Sequence, residues 1–254
     1  MAQGRQSGRI SVVLPIQNPD RSPVRNPDRP THWSVATWLK ERSLTLTFMG
    51  TFLVIWVGQM WTGHLDFNQE LAKNGRAVLS FWQYLASGHM WEATFENWES
   101  EFLQMAAFVV LTAFLVQKGS PESRRIGTTE ESDADPRRFR DRPDAPWPVR
   151  RGGWVLWVYE YSLGLALGLL FLASFAGHSI GGWRAYRAEA SLDGQTPPSW
   201  AEYVTSARFW FESLQNWQSE FLAIGAMVWL SVYLRYRGSP ESKPVHAAHH
   251  ETGR

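Results

Sequence analysis

The chain is written twice. Residues 38–123 and 157–242 align without a gap at a constant offset of 119, and 30 of the 86 aligned pairs are identical. Trp38-x-x-Glu41-x-Ser43-Leu44 returns as Trp157-x-x-Glu160-x-Ser162-Leu163. Asn97-Trp98-Glu99-Ser100-Glu101-Phe102-Leu103 returns as Asn216-Trp217-Gln218-Ser219-Glu220-Phe221-Leu222, and Gly119-Ser-Pro-Glu-Ser123 returns unchanged as Gly238-Ser-Pro-Glu-Ser242. A repeat this long is one structural unit made twice, and that constrains the fold more than any single motif.

Each copy holds two apolar runs. The mean hydropathy of −0.29 conceals them, because the charges gather before Trp38, in 118–153 and at the end of the chain. Ser162–Gly177, continued upstream by Trp154–Tyr161, exceeds the ~20 residues needed to cross a bilayer, and Leu44–Trp61 is similar. Phe102–Val116 and Phe221–Tyr233 are shorter, each extended upstream by an aromatic helical stretch suited to the headgroup layer. The expected fold is an all-α membrane protein. Its four transmembrane helices, at about 44–62, 101–117, 154–177 and 220–236, form two tandem helical hairpins of parallel orientation with short outer amphipathic helices. The competing reading is a soluble bundle with very apolar cores. The expected boundaries are a tail at 1–37, a first repeat at 38–123, a linker at 124–150, a second repeat at 151–243 and a tail at 244–254. The tails and linker are too polar to bury a core and are expected to be disordered.

Basic residues orient the spans. Seven Lys and Arg precede Leu44, nine lie in 118–153 and four follow from Arg235, whereas loops 62–101 and 178–219 hold two and three. The positive-inside rule then puts both termini in the cytoplasm. There is no cysteine, which excludes disulfides, thiol catalysis and cysteine metal sites. The first apolar run begins after more than forty residues with no small-residue cleavage site, as expected of a retained helix. The near-neutral net charge of +1 gives no electrostatic reason for a nucleic-acid partner.

The outer loops carry local signals. Asn74-Gly75 and Asp193-Gly194 align as turns. Ser80-x-x-Gln83 and Ser199-x-x-Glu202 match the capping box, opening short helices that break near Ser87 and Ser206. At the cytoplasmic end Lys118-Gly119 and Arg237-Gly238 read as helix stops. The Ser-Pro-Glu that follows resembles a fresh N-cap with proline at the first helical position.

The candidate polar site is Asn97, Ser100 and Glu101 with Asn216, Ser219 and Glu220. The spacing i, i+3, i+4 places each trio on one helix face where the apolar run begins, and both copies keep it. A pseudo-two-fold axis would bring the faces together, and two close carboxylates would share a proton. The same trio reads structurally if each Glu takes hydrogen bonds from the helix ends of its own repeat. Trp91, Trp98, Trp210 and Trp217 mark an aromatic interface belt. Glu41 and Glu160 sit where a helix N-terminus favours negative charge. His64 and His178 invite a two-histidine haem, but they are not repeat mates, since His64 aligns with Trp183 and His178 with Gln59. No metal-ligand spacing, phosphate loop or nucleophile elbow is present in the sequence, so no metal, cofactor or catalytic residue is assigned.

At the doubled N-W-x-S-E-F-L and G-S-P-E-S segments the chain resembles an uncharacterised family of bacterial integral membrane proteins, a domain-of-unknown-function family. The resemblance spans about Trp38 to Lys243 and implies a bacterial inner-membrane location without assigning an activity. The expectation is a non-enzymatic scaffold, lipid-interacting or envelope-associated component. Its partners are the lipid bilayer and a second copy or another membrane protein. The alternative is a small cation or proton conduit, or transporter, using Glu101 and Glu220.

Overall fold

The computed structural model describes residues 34–125 and 127–253, and the regular elements among the described residues are all helices, with no strand. The tail expected at 1–37 falls outside them as far as residue 33. The chain divides into two compact units, one ending at Trp56 and the other starting at Val57.

In the first unit α1 (Val35–Glu41) is capped by Ser34, whose hydroxyl accepts from the Thr37 amide at 3.1 Å. The chain breaks at Arg42 and α2 (Ser43–Lys73) begins. Phe48, Val54 and Ile55 are each about two-thirds exposed, which suits a helix surrounded by lipid.

The second unit holds the rest. It comprises α3 (Phe81–Leu85), α4 (Gly88–Thr112), α5 (Trp147–Arg151), α6 (Gly153–Glu160), α7 (Ser162–Leu192), α8 (Trp200–Val204) and α9 (Ala207–Tyr233). Two helices, α2 and α7, are long and apolar enough to cross a membrane. Both run beyond the ends expected at about 62 and 177, and continue as polar helix to Lys73 and Leu192. α4 and α9 fall short of the same test. Acids and amides fill their first halves, and α4 ends at Thr112 rather than near 117, leaving about 16 Å of apolar helix from Phe102 against a hydrocarbon core of ~30 Å.

The local signals in the loops produce what they encode. Gly75 and Gly194 adopt φ of 64° and 69°, and Arg76 and Gln195 donate back to the Leu71 and Ala190 carbonyls at 2.8 and 2.9 Å, the bond that ends a helix at a left-handed glycine. Both capping boxes close: Ser80 and Ser199 accept from the amides three residues on and donate their own amides to Gln83 and Glu202. Ser87 and Ser206 cap α4 and α9 through Met90 and Phe209, each at 3.3 Å.

Two expectations are corrected. Ser-Pro-Glu opens no helix in either copy. Each motif is a tight turn in which Ser120 and Ser239 accept from the Glu122 and Glu241 amides. The last serine, Ser123 or Ser242, accepts from the Gln117 or Tyr236 amide, so each loop closes on itself. The linker also holds order: two 3₁₀ turns, Glu131–Asp133 and Pro136–Phe139, precede α5, and Ala145, Val149 and Leu156 bury a small core. The last residues form a strap. Lys243 is 2 % exposed, and its ammonium donates to the Ala248, His249 and Glu251 carbonyls at 3.2, 3.1 and 3.0 Å. Three acceptors offset the desolvation of one buried charge, which explains how so polar a segment is ordered.

The main interface is α4 on α7, one helix from each copy. Glycine permits it: a Cβ at Gly88 would lie 2.5 Å from the Ala185 nitrogen, at Gly181 2.8 Å from the Glu92 nitrogen, and at Gly177 2.5 Å from the Phe95 ring. Gly177 and Gly181 are four residues apart, so one small stripe lets two backbones approach as membrane helices do. α4 also meets its own repeat mate α9. There Gln215 donates to Glu96 at 3.2 Å, two residues at equivalent positions, as a local two-fold relation requires.

Candidate functional site

The end of the bundle that carries α3 and α8, the cap end, holds a buried network of charged groups. His178, on α7, is completely buried. Its Nδ1 lies 3.1 Å from Glu99 Oε2 on α4, and its Nε2 lies 3.6 Å from Glu212 Oε2 on α9. Glu99, also fully buried, accepts from Trp217 Nε1 at 3.2 Å. Glu212 accepts from the Tyr203 hydroxyl at 2.9 Å and from Arg208 Nε at 3.0 Å, and Arg208 reaches on to Glu189 at 2.7 Å. One network thus joins α4, α7, α8 and α9, from the half-exposed Glu189 to the inaccessible Glu99.

Glu92 sits beside this network without joining it. It is 9 % exposed and its Oε1 has no hydrogen-bond partner. Burial pushes its carboxyl up to about 7, with the Glu212 charge adding to the shift. Burial also raises Glu212, but the His178, Arg208 and Tyr203 groups outweigh it and bring that carboxyl below its ordinary value. The Tyr203 hydroxyl is raised by burial and by the charges of Glu92 and Glu212. Glu96 is raised by burial, an effect opposed by bonds from Gln215 and from Asn216 at 2.6 Å. The described residues form no cluster of His, Cys, Asp and Glu that could hold a metal ion.

The residues expected to form the site are placed differently. Asn97 and Glu101 are exposed. Asn97 donates to the Ala93 carbonyl, and Ser100 and Ser219 donate to the Asn97 and Asn216 carbonyls at the same 2.8 Å. The doubled N-x-x-S is therefore an intrahelical bond made twice. Glu101 and Glu220 are close enough for one charge to act on the other, and Gln104 donates to the Glu220 carbonyl at 2.9 Å. Asn216 alone of the six donates to a side chain of another helix, Glu96 on α4 at 2.6 Å. Of the tryptophans, Trp91 donates to the Leu85 carbonyl, Trp98 packs edge-on to Phe95 and Trp210 packs edge-on to Trp217. Trp217 is the one that binds a carboxylate of the network. His64 belongs elsewhere, 2.8 Å from the Leu79 carbonyl and beside Asn68.

Glu92, Glu96, Glu99, His178, Tyr203, Arg208 and Glu212 were not selected from the sequence. A signal was available: Glu92, Glu96 and Glu99 recur at spacings of four and three, one face of a helix heading into an apolar run.

A family model described as "Domain of unknown function (DUF6766)" matches residues 35–254. No curated protein and no solved structure matches the chain.

Proposed function

We propose, for a chain that belongs to the DUF6766 family, that it is a non-enzymatic, multi-pass inner-membrane protein whose outer layer is fastened by a buried acid–histidine joint. Four spans at about 44–62, 101–117, 154–177 and 220–236 form two parallel hairpins, with both termini cytoplasmic. α4 and α9 complete their crossings beside α7, where neighbouring helices shield their shorter apolar halves.

The observation that carries this reading is the Glu99–His178–Glu212 arrangement. A catalytic group must be reached by its substrate, whereas this histidine is fully enclosed and its carboxylates come from two other helices. Buried charges held this way fix how helices meet. The rigid cap would present its exposed aromatic rim, Trp82 and Trp200 among others, to the membrane surface or to an envelope partner.

Two measurements test the reading. The chain has no native cysteine, so single cysteines report topology cleanly: Ala77→Cys should react with an impermeant thiol reagent in whole cells, and Thr129→Cys only after lysis. In liposomes the protein should pass no more protons or cations than protein-free vesicles. Wild-type flux that vanishes in Glu99→Gln with Glu212→Gln would replace the joint by a conduit. Flux that vanishes in Glu101→Gln with Glu220→Gln would restore the acidic vestibule.

A further inference from the structure

We propose that Glu92 is a proton-binding site: its carboxyl is held as the neutral acid beside the Tyr203 hydroxyl, and loss of that proton loosens α4 from α7 and α8. This stands independently of whether the network conducts. A Cβ placed on Gly182 would lie 2.9 Å from Glu92 Oε1 and would strike the Tyr203 hydroxyl, so both oxygens converge on one point above the α7 backbone. A tyrosine hydroxyl has one proton and two lone pairs. Tyr203 gives its proton to Glu212, so only acceptor capacity remains towards Glu92.

An ionised carboxylate is itself acceptor-only. With Glu92 ionised, two acceptors would face each other in a dry contact, and Oε1 would stay without a partner. With Glu92 protonated, the charge is removed from the dry crossing and the carboxyl gains a proton that it can turn towards the lone pairs of Tyr203, whose own proton goes to Glu212. The charges around the site agree. From α4 come Glu96 and Glu99, from α7 His178 and Glu189, from α9 Glu212 and Arg208, and from α8 Tyr203. The two basic groups are already engaged by Glu99, Glu212 and Glu189, so a further negative charge at Glu92 has no cation left to meet it. On deprotonation the proton leaves to water, and the carboxylate regains hydration only if the helices part, because Gly181 and Gly182 leave no room for water at this crossing.

Infrared difference spectroscopy tests this on the full-length protein in lipid nanodiscs, titrated from about pH 5 to about pH 9. A buried protonated-carboxyl band should be present at the acid end and vanish near neutrality, well above an ordinary glutamate. Glu92→Gln, which keeps the neutral shape, should remove the band while leaving the helical signal intact, and Tyr203→Phe should shift its frequency. A spectrum without that band at the acid end, a band already lost where an ordinary glutamate titrates, or a band that survives Glu92→Gln overturns the proposal. Amide exchange across Gly88–Glu96 supplies a second readout. It should quicken on the alkaline side in wild type and not in Glu92→Gln, and equal quickening in both would remove the link to helix separation.

Discussion

The two caps share a frame and differ in what they enclose. In each, a tyrosine lies over a glycine of the long helix beneath it, Tyr84 over Gly63 and Tyr203 over Gly182, and these are repeat mates. Each has the same glycine turn, capping box and serine cap. The first encloses aromatic and imidazole groups: Phe67 stacks on His89 at 4.5 Å, and His64 lies 5.7 Å from Tyr84. The second encloses the charged network. Tyr203, Glu189 and Trp217 keep the residues of their mates, but the other charged groups in and beside it occupy positions where the copies disagree: Gln59 against His178, His89 against Arg208, Ala93 against Glu212, Glu92 against Phe211 and Glu99 against Gln218. Identity between the copies marks the frame, and divergence adds the histidine, the arginine and the acids Glu99 and Glu212 to it.

Replacing residues of one copy by those of the other tests that contrast. The largest effect is expected at the helix crossing. Gly181→Thr installs the residue of Thr62, yet its Cβ would meet backbone at 2.8 Å, and overpacking of a core costs about 1–3 kcal/mol or more. Thermal unfolding in detergent should show a loss at the top of that range or failure to assemble. Gly58→Ala, with nothing within 4 Å of its new Cβ, should be neutral or stabilising by up to ~1 kcal/mol through helix propensity. Equal losses in both would erase the distinction between the copies.

Next comes the buried pair. His178→Gln leaves Glu99 and Glu212 facing each other without the imidazole, and removing one partner of a buried pair costs about 3–5 kcal/mol. The reverse exchange, Gln59→His, should change stability by less than ~0.5 kcal/mol. Adding Glu99→Gln to His178→Gln should recover part of the loss, because two amides can bond each other.

The pH dependence is smaller and has a definite sign. Glu92 is raised from 4.5 to about 7 in the folded protein, so the folded state penalises its ionised form. Stability is whole below the ordinary carboxylate value and declines as pH rises through about 7, by up to ~3 kcal/mol. Chemical denaturation across this window should show the decline in wild type and a flat profile in Glu92→Gln. Glu212, held below its ordinary value, acts in the opposite sense and loses its contribution under acid. The smallest effect should be at Glu101→Gln with Glu220→Gln, within ~0.5 kcal/mol, because Glu101 is exposed and exposed charges couple weakly.

Much of the frame was legible in the sequence. Gly75, Gly194, Ser80, Ser199, Ser87 and Ser206 act through bonds to neighbours a few residues away, so spacing suffices to read them. The site was not legible, because the contacts that unite its helices join residues far apart in the chain, such as Glu99 with His178, and no local pattern encodes that crossing. Reasoning from what the copies keep led to Asn97, Ser100 and Ser219, whose bonds are intrahelical for the same reason that they were easy to see, and to Asn216, which bonds within its helix and also to Glu96. The strap was missed because Lys243 reads as one more surface charge until its three carbonyls are known.

Gln215 meeting Glu96 carries one consequence further. In a dimer of identical hairpins, any residue on the symmetry axis faces its own image, and a glutamate there would confront a second glutamate. Joining both copies in one polypeptide lifts that restriction: one position can remain an acid while its twin becomes the amide that neutralises nothing yet donates to it. The same freedom allows a single imidazole, present once per molecule, where strict symmetry would have demanded two.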